Sequence, residues 1–338
     1  MRLNFNTGYY EGETVGNIPH GNGTFVMNNG DRYSGQWVNG TIAGRGTFFF
    51  VNGDRYEGQF ANGSINGNGT YFYANGDKYK GHWVNNVRAG QGKYCWADGT
   101  VYTGEFSNNK ACGKGVKTLP NKDKYDGMWK DDFMTGNGTY YFANGNRCEG
   151  HWVNNVCTGQ GKYYWADGTV YTGEFSNNSI CGNGTKTFPN GNRYEGQFKD
   201  GLFNGQGTLY FADGSVYTGM FREDMFNGQG TMNYFDGDRY EGNWKDGEQH
   251  GAGTMYFADG SKYTGNFVDG CKEGQGTMYY ANGDRYVGGW QTDDRFGDAI
   301  YYKADGSKFM CYWADDKPQK GMWYYPDGTS KESDGRDI

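Results

Sequence analysis

Histidine and cysteine are the side chains of this sequence best suited to acid–base catalysis, nucleophilic catalysis or metal binding. The four histidines, His20, His82, His151 and His250, fall at only two positions of a repeating pattern, so a catalytic triad or metal cluster would need separate repeats to converge. The seven cysteines are odd in number and form no Cys-x-x-Cys pair, which is typical of reduced thiols. We therefore predict no enzymatic activity, and with it no catalytic residue, metal, cofactor or small-molecule substrate.

The charge balance of the chain is acidic. Lys and Arg number 32 and Asp and Glu number 39, so the formal net charge is 32 − 39 = −7. This excess opposes long-range attraction to nucleic acid and to anionic membranes, and we predict no nucleic-acid partner. The N-terminus lacks the features of a signal peptide, and no apolar run is long enough to span a membrane. We expect a cytoplasmic protein, with association to the cytoskeleton or to a membrane left open.

The whole sequence is organised by a period of 23 residues. The stretch YEGQFANGSINGNGTYFYANGDK at residues 56–78 begins again at Tyr79, and its first position recurs throughout the chain without insertion or deletion. That position holds Tyr10, Tyr33, Tyr56, Tyr79, Tyr102, Tyr125, Cys148, Tyr171, Tyr194, Tyr217, Tyr240, Tyr263, Tyr286 and Phe309. Fourteen repeats in register indicate a repeat protein.

Each repeat carries the pattern of a β-hairpin and none of a helix. Residues 46–51 are rich in β-branched and aromatic types, Asn52-Gly53 follows, and residues 54–60 alternate between apolar and polar types. Asn-Gly permits positive φ at both central residues of a tight turn. The sequence therefore predicts two short strands joined by this turn in every repeat.

The register of this hairpin decides which face its side chains occupy. Strand alternation places Tyr56 on one face. Phe48 and Phe50 share a face with each other, and the type of turn decides whether that is the Tyr56 face: a two-residue turn and a turn with a bulge give opposite answers, because they differ in register by one residue. We favour the bulge, which sets Phe48 and Phe50 beside Tyr56. Glycines recurring on the Tyr56 face would then leave room for aromatic rings. The second connection, residues 61–66, is predicted to be a longer polar loop.

The motif Tyr-x-Gly-x-(Trp or Phe), followed by Gly-x-Gly and closed by Asn-Gly or Asp-Gly, resembles the MORN (membrane occupation and recognition nexus) repeat. His20 and His250 precede Gly-x-Gly, where this repeat often has histidine. The resemblance implies an all-β fold, an elongated twisted single-sheet solenoid of consecutive antiparallel β-hairpins with no helices. It also implies repeats without catalysis of their own, because enzymes that carry such arrays have a separate catalytic domain.

Three segments follow from this pattern. Residues 1–9 are predicted to be an N-terminal half-repeat that forms a capping strand. Residues 10–328 are the array of about 14 repeats, whose last two are degenerate because Ala299, Cys311, Lys320 and Met322 stand where earlier repeats have glycine. Residues 329–338 are a polar tail.

One column of the repeat holds Trp or Phe, and we call it the aromatic column. Such a column is most often core, and the alternative is an open groove that binds a partner protein as a long helix or an extended peptide. The aromatic column contains Trp37, Phe60, Trp83, Phe106, Trp129, Trp152, Phe175, Phe198, Phe221, Trp244, Phe267 and Trp290.

A second column is basic and is called here the basic column. Its regular spacing could meet a row of anionic lipid head groups, whereas its acidic neighbours favour weak cross-strand ion pairs on a solvated face. The basic column contains Arg32, Arg55, Lys78, Lys124, Arg147, Arg193, Arg239, Lys262, Arg285 and Lys308.

The last repeats become more apolar, although terminal repeats normally carry polar caps. We therefore predict self-association, as a homodimer, through Ile300, Met310, Trp313, Met322 and Trp323. The leading functional hypothesis is a non-catalytic scaffold or spacer that binds proteins of a membrane-associated or cytoskeletal structure. The alternatives are a phosphoinositide-binding module that uses the basic column and a targeting subunit of a separate enzyme.

Overall fold

The computed structural model describes residues 1–336 and residue 338. It divides into two compact units, Met1–Ala166 and Asp167–Ile338, here called the N-terminal and C-terminal units. The strands of the N-terminal unit are β1 (Arg2–Phe5), β2 (Gly8–Val15), β3 (Ile18–Met27), β4 (Arg32–Val38), β5 (Thr41–Phe49), β6 (Arg55–Ala61), β7 (Ser64–Phe72), β8 (Lys78–Val84), β9 (Val87–Cys95), β10 (Val101–Ser107), β11 (Lys110–Thr118), β12 (Lys124–Lys130), β13 (Phe133–Tyr141), β14 (Arg147–Val153) and β15 (Val156–Tyr164).

The C-terminal unit is likewise built from β-strands. Its strands are β16 (Val170–Ser176), β17 (Ser179–Thr187), β18 (Arg193–Lys199), β19 (Leu202–Tyr210), β20 (Val216–Arg222), β21 (Met225–Asn233), β22 (Arg239–Lys245), β23 (Glu248–Tyr256), β24 (Lys262–Val268), β25 (Cys271–Tyr279), β26 (Arg285–Gln291), β27 (Asp294–Tyr302), β28 (Lys308–Ala314), β29 (Lys317–Tyr324) and β30 (Ser330–Ser333).

Within each unit, every strand is antiparallel to the next strand of the chain. In the N-terminal unit this begins with β1 on β2, and in the C-terminal unit it ends with β30 on β29, inside the segment predicted as a polar tail. No helix is present among the described residues. The prediction of an all-β fold built from consecutive antiparallel hairpins is confirmed.

The Asn-Gly turn has the bulged geometry that the sequence analysis favours. The Phe50 N–H donates to the Asp54 carbonyl oxygen at 2.9 Å, and the Gly53 N–H donates to the Phe50 carbonyl oxygen at 3.0 Å. Gly53 has φ +92°, so three residues form the loop and the glycine closes it in the left-handed region. Phe48 therefore lies directly opposite Tyr56 and shares its face.

The second connection is shorter than predicted, which corrects the polar loop expected over residues 61–66. Ala61 pairs with Ser64, and the only residues between them, Asn62 and Gly63, have φ +48° and +76°, a two-residue turn with both φ values positive. The remaining polar residues belong to β7. Their extra length is taken up by a bulge opposite Gln59, whose side-chain oxygen accepts the backbone N–H of Asn68 at 2.7 Å.

The core of each unit lies on the tyrosine face of the sheet. Gly58 lies between Gly46 and Gly69 on the neighbouring strands, and this line of opposed glycines is called the glycine row. The Tyr56 hydroxyl donates to the Gln59 carbonyl oxygen at 3.2 Å, and a Cβ added at Gly58 or Gly69 would overlap the tyrosine ring. The ring therefore lies against the glycine row, and it is completely buried although the sheet is one layer thick.

Successive hairpins are also joined through their turns. One Asp54 carboxylate oxygen accepts the Ala74 N–H of the following hairpin at 2.8 Å, and the other accepts the Tyr71 hydroxyl at 2.8 Å. Asp77, Asp123 and Asp284 each make the same two contacts with the hairpin that follows. We call this set of carboxylates the turn ladder.

Acid is expected to weaken the turn ladder. Burial alone would raise the pKa of Asp54, but hydrogen bonds from Ala74, Tyr71 and Asn52 outweigh it and lower the pKa. A carboxyl whose pKa is lower when folded than when unfolded stabilises the fold above the unfolded pKa of about 3.9, and this contribution is lost as the pH falls through the folded pKa. We expect the thermal midpoint to decline steeply below about pH 4.

Asp54→Asn tests this assignment with a residue that the chain already uses. Asn146 occupies the equivalent position and accepts the Ala166 N–H at 2.9 Å, so the variant should keep its fold at pH 7. It should lose part of the acid dependence of the thermal midpoint, measured by circular dichroism from pH 2 to 7. An acid dependence identical to that of the wild type would show that Asp54 does not contribute.

Candidate interaction surfaces

The aromatic column is core. Its twelve side chains are only 2% to 7% exposed. The Phe60 ring meets Tyr56 and Tyr33 edge-on, with centroid distances of 5.1 Å to each, and the Trp129 indole N–H donates to the Gly115 carbonyl oxygen at 3.0 Å. These rings present little surface to a partner. The aromatic column therefore does not line the open groove that was predicted as the alternative to core.

A different set of rings on the same face is only half-buried. They come from the end of the second strand of each repeat and from the following turn, and centroid distances between consecutive rings are 4.5, 5.6, 4.5, 5.8 and 4.5 Å. We call this set the ring ladder: Phe48, Phe50, Tyr71, Tyr73, Tyr94 and Trp96. The predicted bulge in the turn places Phe48 and Phe50 on this face, but it does not predict the ladder, whose signal in the sequence is an aromatic residue at both positions in successive repeats.

The basic column lies on the opposite face and is stacked on aromatic rings. All ten of its side chains lie over a ring of an adjacent strand, as Arg55 does over Phe72 at 4.3 Å and Arg147 over Tyr164 at 3.9 Å. The prediction of cross-strand ion pairs is therefore wrong. The partner of each basic side chain on the adjacent strand is an aromatic ring, and the acidic partner lies on the same strand, as for Arg55 Nε, which is 3.0 Å from Glu57 Oε1.

The five residues predicted for self-association divide between the two faces. Trp313 and Trp323 are buried with the core, at 0% and 3% exposure. Ile300, Met310 and Met322 are direct neighbours on β27, β28 and β29, on the face that bears the basic column, and they form what we call the apolar row. Met310 is 42% exposed.

The histidines and cysteines do not assemble into a metal site within the described residues, where no three His, Cys, Asp or Glu side chains are grouped suitably. Cys148, which replaces the repeat tyrosine, lies with its Sγ 3.6 Å from Cys157 Sγ in the core. The hydrogen bond with Cys157, together with burial, raises the pKa of Cys148, so it remains a thiol at neutral pH. Among these residues there is also no helix capable of crossing a membrane.

Comparison with known proteins gives one family and several distant likenesses. No curated protein matches this chain. Among solved structures, the Sas-4 TCP domain of Drosophila melanogaster in complex with a proline-rich motif of Ana2 is 14% identical, with a TM-score of 0.31 over 46% of this chain and 87% of that one. The TCP10 domain of Danio rerio CPAP is 13% identical, with a TM-score of 0.18 over 76% and 93%. TM-scores this low carry no argument about fold or function.

A family model described as the MORN repeat matches twelve consecutive stretches, at residues 10–32, 33–55, 56–78, 79–101, 102–124, 125–147, 148–170, 171–193, 194–216, 217–239, 240–262 and 263–285. The two degenerate repeats predicted after residue 285 lie outside these matches. Repeats of this kind are typically modules for protein or membrane interaction, and their family is non-enzymatic. Because the matches cover most of the chain, this protein belongs to the MORN repeat family.

Proposed function

We propose that this chain is a non-catalytic scaffold or spacer that holds partner proteins of a membrane-associated or cytoskeletal structure. The observation that carries the proposal is the ring ladder. Its six rings belong to three successive repeats, are only half-buried and lie close enough together to form one surface. Aromatic side chains anchor protein interfaces, and an even spacing suits a partner that is itself extended, such as a long helix or a strand-like peptide.

We also propose that the apolar row joins two copies of the chain. The same line of the sheet carries Thr264 and Thr277 immediately before Val287, Ile300, Met310 and Met322. A change from threonine to aliphatic side chains on an exposed face costs solubility unless another surface covers it. A second copy brings an identical row, and a twofold interface would bury both rows together.

Analytical ultracentrifugation of the full chain tests this association. We expect a dimer for the wild type and a monomer for the triple variant Ile300→Thr, Met310→Thr, Met322→Thr, because it restores the residue type of the preceding repeats. Met220→Thr is the matched control: Met220 is 36% exposed and lies on the same face, outside the apolar row. A monomeric wild type at high concentration, or a dimeric triple variant, would contradict the proposal.

A second candidate function is docking on anionic lipid through the basic column. The ring stacking favours it, because it holds five cations on one face of each unit, although four of the ten also pair with a glutamate on the same strand. The net charge of −7 and the acidic neighbours oppose it. Each Lys or Arg close to an anionic membrane contributes about 1 kcal/mol to binding, roughly a factor of five.

Co-sedimentation with vesicles that contain phosphoinositide measures this binding. Arg239→Glu combined with Arg285→Glu should weaken binding by about 25-fold or more, and raising the salt concentration should weaken the wild type. Lys245→Glu is the control, since Lys245 is exposed and outside the basic column. Because the control changes half as much charge, a loss of about fivefold in it would indicate a net-charge effect, and binding that is unaffected by the double variant or by salt would reject the basic column as a lipid site.

A further inference from the structure

A cavity of about 250 Å³ opens on the core face of the N-terminal unit, between β9 and β12. Its walls are aromatic, with Trp96, Phe106 and Trp129 among them, and Arg88 and Lys117 also line it. A cavity of roughly 150 Å³ is large enough to hold benzene. This one therefore has room for an aromatic side chain with a polar substituent, and it is too small for most drug-sized ligands.

Two substitutions in the repeat create the cavity. Ala111 stands opposite Phe106, at the position where the neighbouring repeats have Arg88 and Met134. Lys117 stands opposite Tyr102 and Tyr125, at the ring-ladder position that Tyr94 occupies one repeat earlier. A small side chain and a flexible one thus replace two bulky groups, and space remains between the rings.

The charged groups at the cavity are held in place. The Arg88 guanidinium lies 4.9 Å from the Tyr94 ring centroid and donates to the Asn109 carbonyl oxygen, while Lys117 Nζ lies 5.1 Å from the Trp96 ring. Asp132 accepts the Ala111 N–H at 2.7 Å. Two positive charges and one negative charge therefore line the cavity, which leaves a net positive charge beside the aromatic walls.

We propose that this cavity binds an aromatic side chain of a partner protein that has acidic residues beside it in sequence. The ring of the partner would occupy the space between Trp96 and Trp129, and the flanking carboxylates would meet Arg88 and Lys117. The inference rests on the proposed protein-binding function and names the chemistry of one contact. Charge complementarity and the size of the cavity select this occupant over an aliphatic or basic segment.

The chain offers matched variants at both positions. The block that contains Ala111 and Lys117 is repeated 69 residues later, where Ile180 stands in place of Ala111 and is buried. Ala111→Ile should therefore fold and fill the cavity. Met232 occupies the position of Lys117 in a later repeat, so Lys117→Met removes the charge and keeps an accepted residue. Lys114→Met, on the same strand and exposed on the opposite face, is the control for net charge.

The probe is the peptide acetyl-Glu-(4-fluorophenylalanine)-Glu-amide, titrated with the full chain and followed by ¹⁹F NMR line width. We expect binding by the wild type, no measurable binding by Ala111→Ile, about fivefold weaker binding by Lys117→Met and unchanged binding by Lys114→Met. The same peptide with Lys in place of both Glu residues should not bind.

Three results would overturn the assignment: no broadening with the wild type at millimolar peptide, equal binding by Ala111→Ile, or equal binding of the Lys-flanked peptide. Circular dichroism of each variant confirms the fold. Ultracentrifugation of Ala111→Ile separates the cavity proposal from the proposed self-association. If the variant loses peptide binding and still self-associates like the wild type, the substitution has affected the cavity and left the apolar row intact.

Discussion

The packing of each repeat tyrosine against the glycine row is the contact on which the rest of the structure depends. A single-layer sheet has no second sheet or helix to cover its apolar face. Here Tyr56 lies against the glycines of its own strand and of the neighbouring strand, and Phe60 meets its ring edge-on. Glycine leaves the space and tyrosine fills it, so each repeat supplies the covering layer for its own backbone.

This constraint explains why the repeat tolerates so little change along the glycine row and so much at other positions. A side chain in the glycine row meets a buried ring, and the chain places one there only in its last two repeats, at Ala299 and Cys311, whereas the opposite face carries threonine, lysine, glutamate or methionine at equivalent positions. At Cys148, which replaces the repeat tyrosine, two small thiols lie in place of the ring. Differences between repeats therefore fall mostly at positions that do not touch the glycine row, and these positions hold our candidate interaction surfaces.

Much of the fold follows from the sequence because its determinants are local. The Asn52-Gly53 turn, the bulge that aligns Phe48 with Tyr56 and the alternation of Tyr56, Gly58 and Phe60 all depend on residues a few positions apart. The second turn was predicted too long because Asn66 and the glycine after it were assigned to a loop, although they lie in a bulged strand.

Other features could not be predicted because they depend on how neighbouring hairpins meet. The turn ladder joins Asp54 to Ala74, and that contact requires the spacing between successive turns. The stacking of Arg55 on Phe72 requires the register across the bulge opposite Gln59. The burial of the aromatic column was the ordinary expectation for such residues, but the partial exposure of the ring ladder beside it appears only when neighbouring repeats are assembled.

Replacement of one glycine in the glycine row tests the central claim most directly. Gly69→Ala places a Cβ against the buried Tyr56 ring, whereas Gly99→Ala adds a Cβ that meets nothing within 4 Å and strains only a backbone with φ +92°. Overpacking should cost about 3 kcal/mol in the first variant, and the positive φ about 1 kcal/mol in the second. Thermal unfolding followed by circular dichroism compares them. The account predicts a clearly larger loss of stability for Gly69→Ala, and a loss equal to or smaller than that of Gly99→Ala would contradict it.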